Sequence, residues 1–274
     1  MEEAKSKTLT TRLVVGFSLG GIFLFSLINP LLFVLLVAVA VAGATRELAT
    51  AMRSAGWHVP RIPATLAAFA MPFFTYFFGS TGQWLTLWIA IGLMVAWRWL
   101  FLIYAKTSQG IKASLRDFGA SAFTMIYVPL LLSFSVLLIN RPNGTAWVFG
   151  LVLTVVAIDS FGYLIGRVWG RTKLSPEISP KKTWEGLLAS ILGAMFGGVV
   201  TALLVGASVW FGLLFGAALL VSSVMGDLSE SLIKRDLEVK DMGDVLPGHG
   251  GLMDRLDSLL PSAFVAYLLS HVLF

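Results

Sequence analysis

The chain of 274 residues has no cysteine and only three histidines. The missing thiols exclude disulfides, thiolate nucleophiles and cysteine-ligated zinc. Charge is scarce too: Asp, Glu, Lys and Arg make up 13% of the residues, against 57% apolar, and mean hydropathy is +0.85. A soluble domain carries about twice that share of charge. The composition predicts an all-α, polytopic integral membrane protein, read as one membrane domain from 1 to 274. The first apolar run has no small-residue cleavage site before a polar segment, so no signal peptide is expected. The net charge of +5 is spread over many loops and does not indicate a nucleic-acid partner.

Apolar runs near the roughly 20 residues that a crossing needs occur at 11–28, 31–49, 62–79, 83–105, 118–139, 145–167, 184–205, 208–228 and 258–274. Nine spans are therefore expected, the hydrophobic 1–117 preceding a second part, 118–274. With that count, 18 of the 20 basic residues fall on one side; Arg141 and Arg98 are the exceptions. The positive-inside rule then puts the N-terminus in the cytoplasm and the C-terminus outside. Arg98 is read as snorkelling toward the basic end. GxxxG spacings at Gly16/Gly20, Gly162/Gly166, Gly193/Gly197 and Gly212/Gly216 suit close helix packing within one subunit, with a homodimer seam as the alternative. Trp84, Trp88, Trp147 and Trp210 read as an interfacial belt.

The acidic residues are not spread evenly. Eight of the fifteen lie in 227–257: Asp227, Glu230, Asp236, Glu238, Asp241, Asp244, Asp254 and Asp257. If the helix before Asp227 continues, Asp227, Glu230, Ser231 and Lys234 share a face. A second helix from about Leu252 would do the same for Asp254 and Asp257. Gly243, Pro247, Gly248, Gly250 and Gly251 make the intervening stretch, with Lys240 and His249, a loop. Paired carboxylate faces suit a hard cation, and a cation suits phosphates; a solvated run of ion pairs would look similar.

Upstream, Ser179-Pro180 reads as an N-cap followed by a first-turn proline, so a helix is predicted from Pro180. Its amide end, with Lys181, Lys182 and Thr183, suits an anion; a basic anchor at the lipid surface is the alternative. Glu185 is expected to pair with Lys181 or Lys182. Asp159 lies inside an apolar run, where a carboxylate is costly unless paired or hydrated. It lines a polar cavity or orients a cation, or else packs against Ser160 or Tyr163. His249 contacts a phosphate, protonates a leaving group, or only shapes its loop.

The segments Ser231-Leu-Ile-Lys234-Arg235, Lys240-Asp241-x-Gly243 and Leu246-Pro247-x-His249-Gly250-Gly251-Leu252-x-Asp254-Arg255-Leu256-Asp257, taken with their spacing, resemble the signature of phosphatidate cytidylyltransferases. The resemblance extends to Ser179-Pro-Lys-Lys-Thr-Trp-Glu-Gly186 and, more weakly, to Asp159-Ser-Phe-Gly-Tyr163. It implies an enzyme joining CTP to phosphatidic acid, giving CDP-diacylglycerol and pyrophosphate, at cytoplasmic loops 167–183 and 227–257 of a bacterial plasma membrane. It implies Mg²⁺ (Mn²⁺ as a substitute, a second cation such as K⁺ beside it) on Asp227, Asp254 and Asp257. Lys234, Arg235, Lys240, Asp241, His249 and Arg255 complete the implied catalytic set. Ser179, Lys181, Lys182, Thr183, Ser231, Gly250, Gly251 and Asp159 are the implied substrate contacts. A CTP-dependent polyprenol or phytol kinase and a cation-coupled transporter are the rival readings.

Overall fold

The computed structural model describes the backbone of residues 2–105, 113–245 and 250–273, and the side chains of 14–104, 113–245 and 250–272. Lys106, Lys112 and the stretch 246–249, with His249, lie outside those residues. Among the described residues the fold is α-helical with one two-stranded hairpin. Among the described residues six helices are long and apolar enough to cross a membrane, which makes this a polytopic membrane protein. Large apolar side chains such as Phe17, Trp88 and Trp210 are more than 60% exposed, as expected where lipid is the solvent. The chain forms two compact units, one of residues 1–136 with 237–256, the other of 137–236 with 257–274.

The first unit begins with α1 (Glu2–Ser26) and α2 (Pro30–Ser54). Asn29 caps α2 by accepting from the Leu31 amide at 2.8 Å, and Pro30 fills the first turn, where no amide is needed. Helix α3 (Arg61–Ala105) would be roughly 67 Å long if straight, about twice the bilayer's hydrocarbon thickness. Instead it breaks at Gly79, whose φ of 62° and ψ of −147° are non-helical. Leu66 and Ala70 before the break line one cavity with Ile89 and Ala90 after it, so the helix folds back on itself. Next come α4 (Ser114–Met125), a π turn (Ile126–Leu130) and α5 (Leu131–Ile139), within which the first unit ends at Val136. Pro129 sits in the π turn, where its missing N–H removes a hydrogen bond from the ladder.

Arg98 does not snorkel. It is buried and paired with buried Asp117 at 2.5 Å, and Asp117 also accepts from the His58 amide at 2.9 Å. A buried guanidinium needs such a partner, because removing either one leaves an uncompensated charge.

The second unit contains α6 (Gly144–Trp169), strands β1 (Lys173–Ser175) and β2 (Ser179–Thr183), α7 (Trp184–Val205), α8 (Val209–Asp236) and α10 (Leu259–Leu273). The four-residue α9 (Met253–Leu256) belongs to the first unit. Strands β1 and β2 pair antiparallel, with Lys173 opposite Thr183. The predicted helix start at Pro180 is therefore wrong. Residues 179–183 are a strand, and Thr183 is the true cap, accepting from the Gly186 amide at 3.2 Å. Trp147 is also misread as interfacial: it is fully buried against Phe211 and Phe215.

The GxxxG pairs of this unit are intramolecular contacts. A Cβ on Gly193 would lie 2.5 Å from the Ala157 carbonyl, and one on Gly197 2.5 Å from the Thr154 Cα. Helices α6 and α7 thus touch backbone to backbone, which bulkier residues would prevent.

Candidate active site

The close approach of α6 and α7 sets the walls of a cavity in the second unit. A Cβ on Gly186 would lie 2.8 Å from the Gly162 carbonyl, and Ser190 donates to the Ile158 carbonyl at 2.9 Å. Beside this seam the β-hairpin delivers Lys181, Lys182 and Thr183, and α8 delivers Ser223 and Asp227. With Asp159 from α6 they line a cavity of about 280 Å³. Asp159 opens into it and accepts a hydrogen bond from Ser258. Packing against Ser160 or Tyr163 is not what holds it.

Helix α8 runs nine residues beyond Asp227, so Asp227, Glu230, Ser231 and Lys234 do follow one another along a continuous helix. Asp227 forms an ion pair with Lys182, which joins α8 to β2. Glu230 is 1% exposed and bonded to Lys234 at 2.7 Å. Gly226 lets α8 approach the backbone of Asp257 at a distance that no side chain would permit. Asp257 is not on a helix face. It occupies the turn between α9 and α10, where its carboxylate accepts from the Ser258 amide at 2.7 Å and shares a hydrogen bond with Glu230. Burial pushes its pKa up to about 6, aided by the negative charge of Asp227 and opposed by Ser258, Glu230 and Lys234.

Four carboxylates (Asp159, Asp227, Glu230, Asp257) thus share a neighbourhood with three lysines (Lys181, Lys182, Lys234). The carboxylate oxygens are hard donors of the kind a divalent ion takes. As the side chains stand, no three acidic or histidine groups among the described residues converge on one cation position.

In the first unit the glycine-rich segment is held by a residue that sequence reasoning missed. Glu47 on α2, 6% exposed, accepts from the amides of Leu252 at 3.0 Å and Met253 at 2.9 Å. These are amides at the start of α9, which a helix leaves unpaired. Gly243 and Gly251 pack against the same carboxylate, where a Cβ would come within 2.5 Å. Asp254 accepts from the Gly251 amide at 2.8 Å and the Met242 amide at 3.3 Å. Gly250 has φ +83° beside it, a conformation that favours glycine. The available clue to Glu47 was a carboxylate inside the 31–49 apolar run, where it is costly unless paired.

The profile of the cytidylyltransferase family matches residues 10–273. The chain belongs to this family. Among its relatives, the phosphatidate cytidylyltransferase of Mycobacterium bovis is 38% identical over 97% of this chain and 90% of its own length. That of Mycobacterium leprae is 36% identical over 97% and 89%. The chloroplastic phosphatidate cytidylyltransferase 4 of Arabidopsis thaliana is 30% identical over 97% and 74%. The likeness covers the hydrophobic first half as well as the motif-bearing segments.

The other expected site residues of this cytidylyltransferase family member are divided between the two units. Lys240, Asp241 and Arg255 are exposed in the first unit, as is Arg235 in the second, where it reaches the Ile178 carbonyl at 3.4 Å. Ser179 lies on β2, and Ser231 is half-buried on α8. Glu185 does not pair with Lys181 or Lys182; its carboxylate accepts from the Thr172 amide at 3.1 Å and closes the hairpin. Ser223 is 1% exposed, lines the cavity, and has a hydroxyl with no protein partner. Following Ser222 inside a long apolar run, it gave no signal in the sequence.

Proposed function

We propose that this chain is an integral-membrane phosphatidate cytidylyltransferase, which condenses CTP with phosphatidic acid to give CDP-diacylglycerol and pyrophosphate. The observation that carries this is the near-full-length likeness to phosphatidate cytidylyltransferases. The lysine-edged acidic cavity supports it. The phosphate monoester of phosphatidate is largely ionised at neutral pH. It attacks the α-phosphorus of CTP as pyrophosphate departs, so no general base is required. The obstacle is repulsion between two polyanions. Lys181 and Lys182 take phosphate oxygens at the cavity mouth, and the amide end of α7 beneath Thr183 favours negative charge. Lys234, held at Glu230, and Arg235 are the further phosphate contacts on α8. Asp227 and Asp257, with Asp159 beside them, are the hard oxygen donors that would hold Mg²⁺, with Mn²⁺ as a substitute. Such an ion would neutralise charge on the transferring phosphates. For Asp254 the assignment as a ligand stands on the resemblance; within its own unit its carboxylate accepts backbone amides.

The decisive experiment supplies purified protein with CTP labelled at the α or the γ phosphate. Label is expected in lipid from the α position only, and only with phosphatidate present. Transfer from the γ position would make the chain a lipid kinase; transfer from neither would leave no transferase.

The two arms of α3, with α1 and α10 counted as crossings, bring the spans to nine. The basic loops then face the cytoplasm, where CTP is. A unique cysteine in place of exposed Lys240 should stay unlabelled by an impermeant thiol reagent outside intact cells and react after permeabilisation. Labelling in intact cells overturns the arrangement.

A further inference from the structure

The fold-back of α3 leaves an apolar cavity of about 540 Å³ between its arms, with Leu66, Ala70 and Phe74 on one wall and Leu85, Ile89 and Leu93 on the other. That volume is in the range that holds an extended organic ligand. From Ile62 to Phe74 the groove follows roughly 18 Å of helix at 1.5 Å per residue. One leaflet's hydrocarbon is about half of ~30 Å, so the groove is about as long as one leaflet is deep. Ile62 and Leu66 also wall a second cavity, of about 420 Å³, whose polar lining is Arg46, Arg61 and Thr65. Both arginines are exposed, and neither has an ion pair among the described residues. The one carboxylate adjacent in sequence, Glu47, is committed to the Leu252 and Met253 amides.

An apolar groove one leaflet deep, opening beside two uncompensated guanidinium groups, has the chemistry of an anionic phospholipid. We infer that this first-unit site binds one such lipid from the leaflet at the Arg61 end. Its phosphate sits between Arg46 and Arg61 and one acyl chain lies between the arms of α3. Guanidinium groups match phosphate oxygens in paired hydrogen bonds, and the chain supplies affinity in proportion to the apolar area it covers. No residue of the acidic cavity takes part.

The test is native mass spectrometry of the full-length, delipidated protein with phosphatidylglycerol and phosphatidylcholine of identical acyl chains. Using phosphatidylglycerol in place of phosphatidate keeps the readout apart from substrate binding. The native chain should retain phosphatidylglycerol preferentially. Arg46→Gln with Arg61→Gln should weaken that retention by about fivefold per arginine and leave phosphatidylcholine unchanged. Dihexanoyl phosphatidylglycerol should compete at least about tenfold less well than the long-chain form, because it fills little of the groove; this arm uses the native chain and does not depend on the variant folding. Equal retention of the two headgroups, or a folded double variant that binds like the native chain, overturns the site. So does a dimer that forms only after delipidation and is lost in the double variant, which would assign the groove to a second copy.

Discussion

Asp227→Asn and Asp257→Asn are each expected to lower turnover by a factor on the order of 10² or more, the usual consequence of removing a preorganised charge at a reacting phosphate. Asparagine preserves size and one acceptor but removes the charge that a cation and Lys182 both need. Asp227→Asn also breaks the α8–β2 ion pair, so Lys182 is freed and its cavity wall loosens. Asp257→Asn retains an acceptor for the Ser258 amide, so its loss should be electrostatic and leave the turn intact. The apparent Mg²⁺ requirement should rise in whichever variant keeps measurable turnover. Asp236→Asn and Glu238→Gln are the controls: both side chains are exposed, and their loss should change turnover by no more than about twofold. Steady-state rates and Mg²⁺ titrations on protein of verified thermal stability decide it. Near-normal turnover in Asp257→Asn would remove the carboxylate cluster from the chemistry. Equal losses at all four positions would point to a general collapse of the segment.

Glu47→Ala is the second large effect expected. It strands the amides of Leu252 and Met253, both held by one buried carboxylate, at about 1–3 kcal/mol for each unsatisfied buried group. Glu47 touches no reacting atom in this account; it positions the segment that carries Gly250, Gly251 and Asp254. The expected result is a turnover loss of roughly tenfold or more, accompanied by faster hydrogen exchange at residues 250–256 and unchanged exchange in α6 and α7. Glu47→Gln keeps an acceptor and should recover part of both. A merely structural role would lower the melting temperature without this local signature. Unchanged exchange at 250–256 in Glu47→Ala would sink the positioning role.

Much was legible because membrane chemistry writes itself plainly into composition. Long apolar runs mark helices, and the clustering of eight carboxylates marked the chemical segment before any contact was known. The α8 face was readable because three- and four-residue spacing is a property of a single helix. The errors came where that rule was pushed past a break. Asp257 was placed on a helix that ends at Leu256, and Ser179-Pro180 was read as a cap although proline sits as readily in a short edge strand. Arg98 looked like a span-end cation because its partner, Asp117, is nineteen residues away on another helix.

By itself, then, the sequence determined the class of protein, the identity of the acidic and basic segments, and the resemblance that names the chemistry. All of these are carried by composition and by residues close together in the chain. The tertiary structure decided which of those residues meet. Asp159, Lys182, Asp227 and Asp257 come from four separated segments and share one neighbourhood because glycines at 162, 186 and 226 let backbones approach. Glu47 reaches amides more than 200 residues away. Spacing along a chain carries no information about such pairs. They exist only once apolar faces have packed, and burial then forces every polar group caught between them to find a partner.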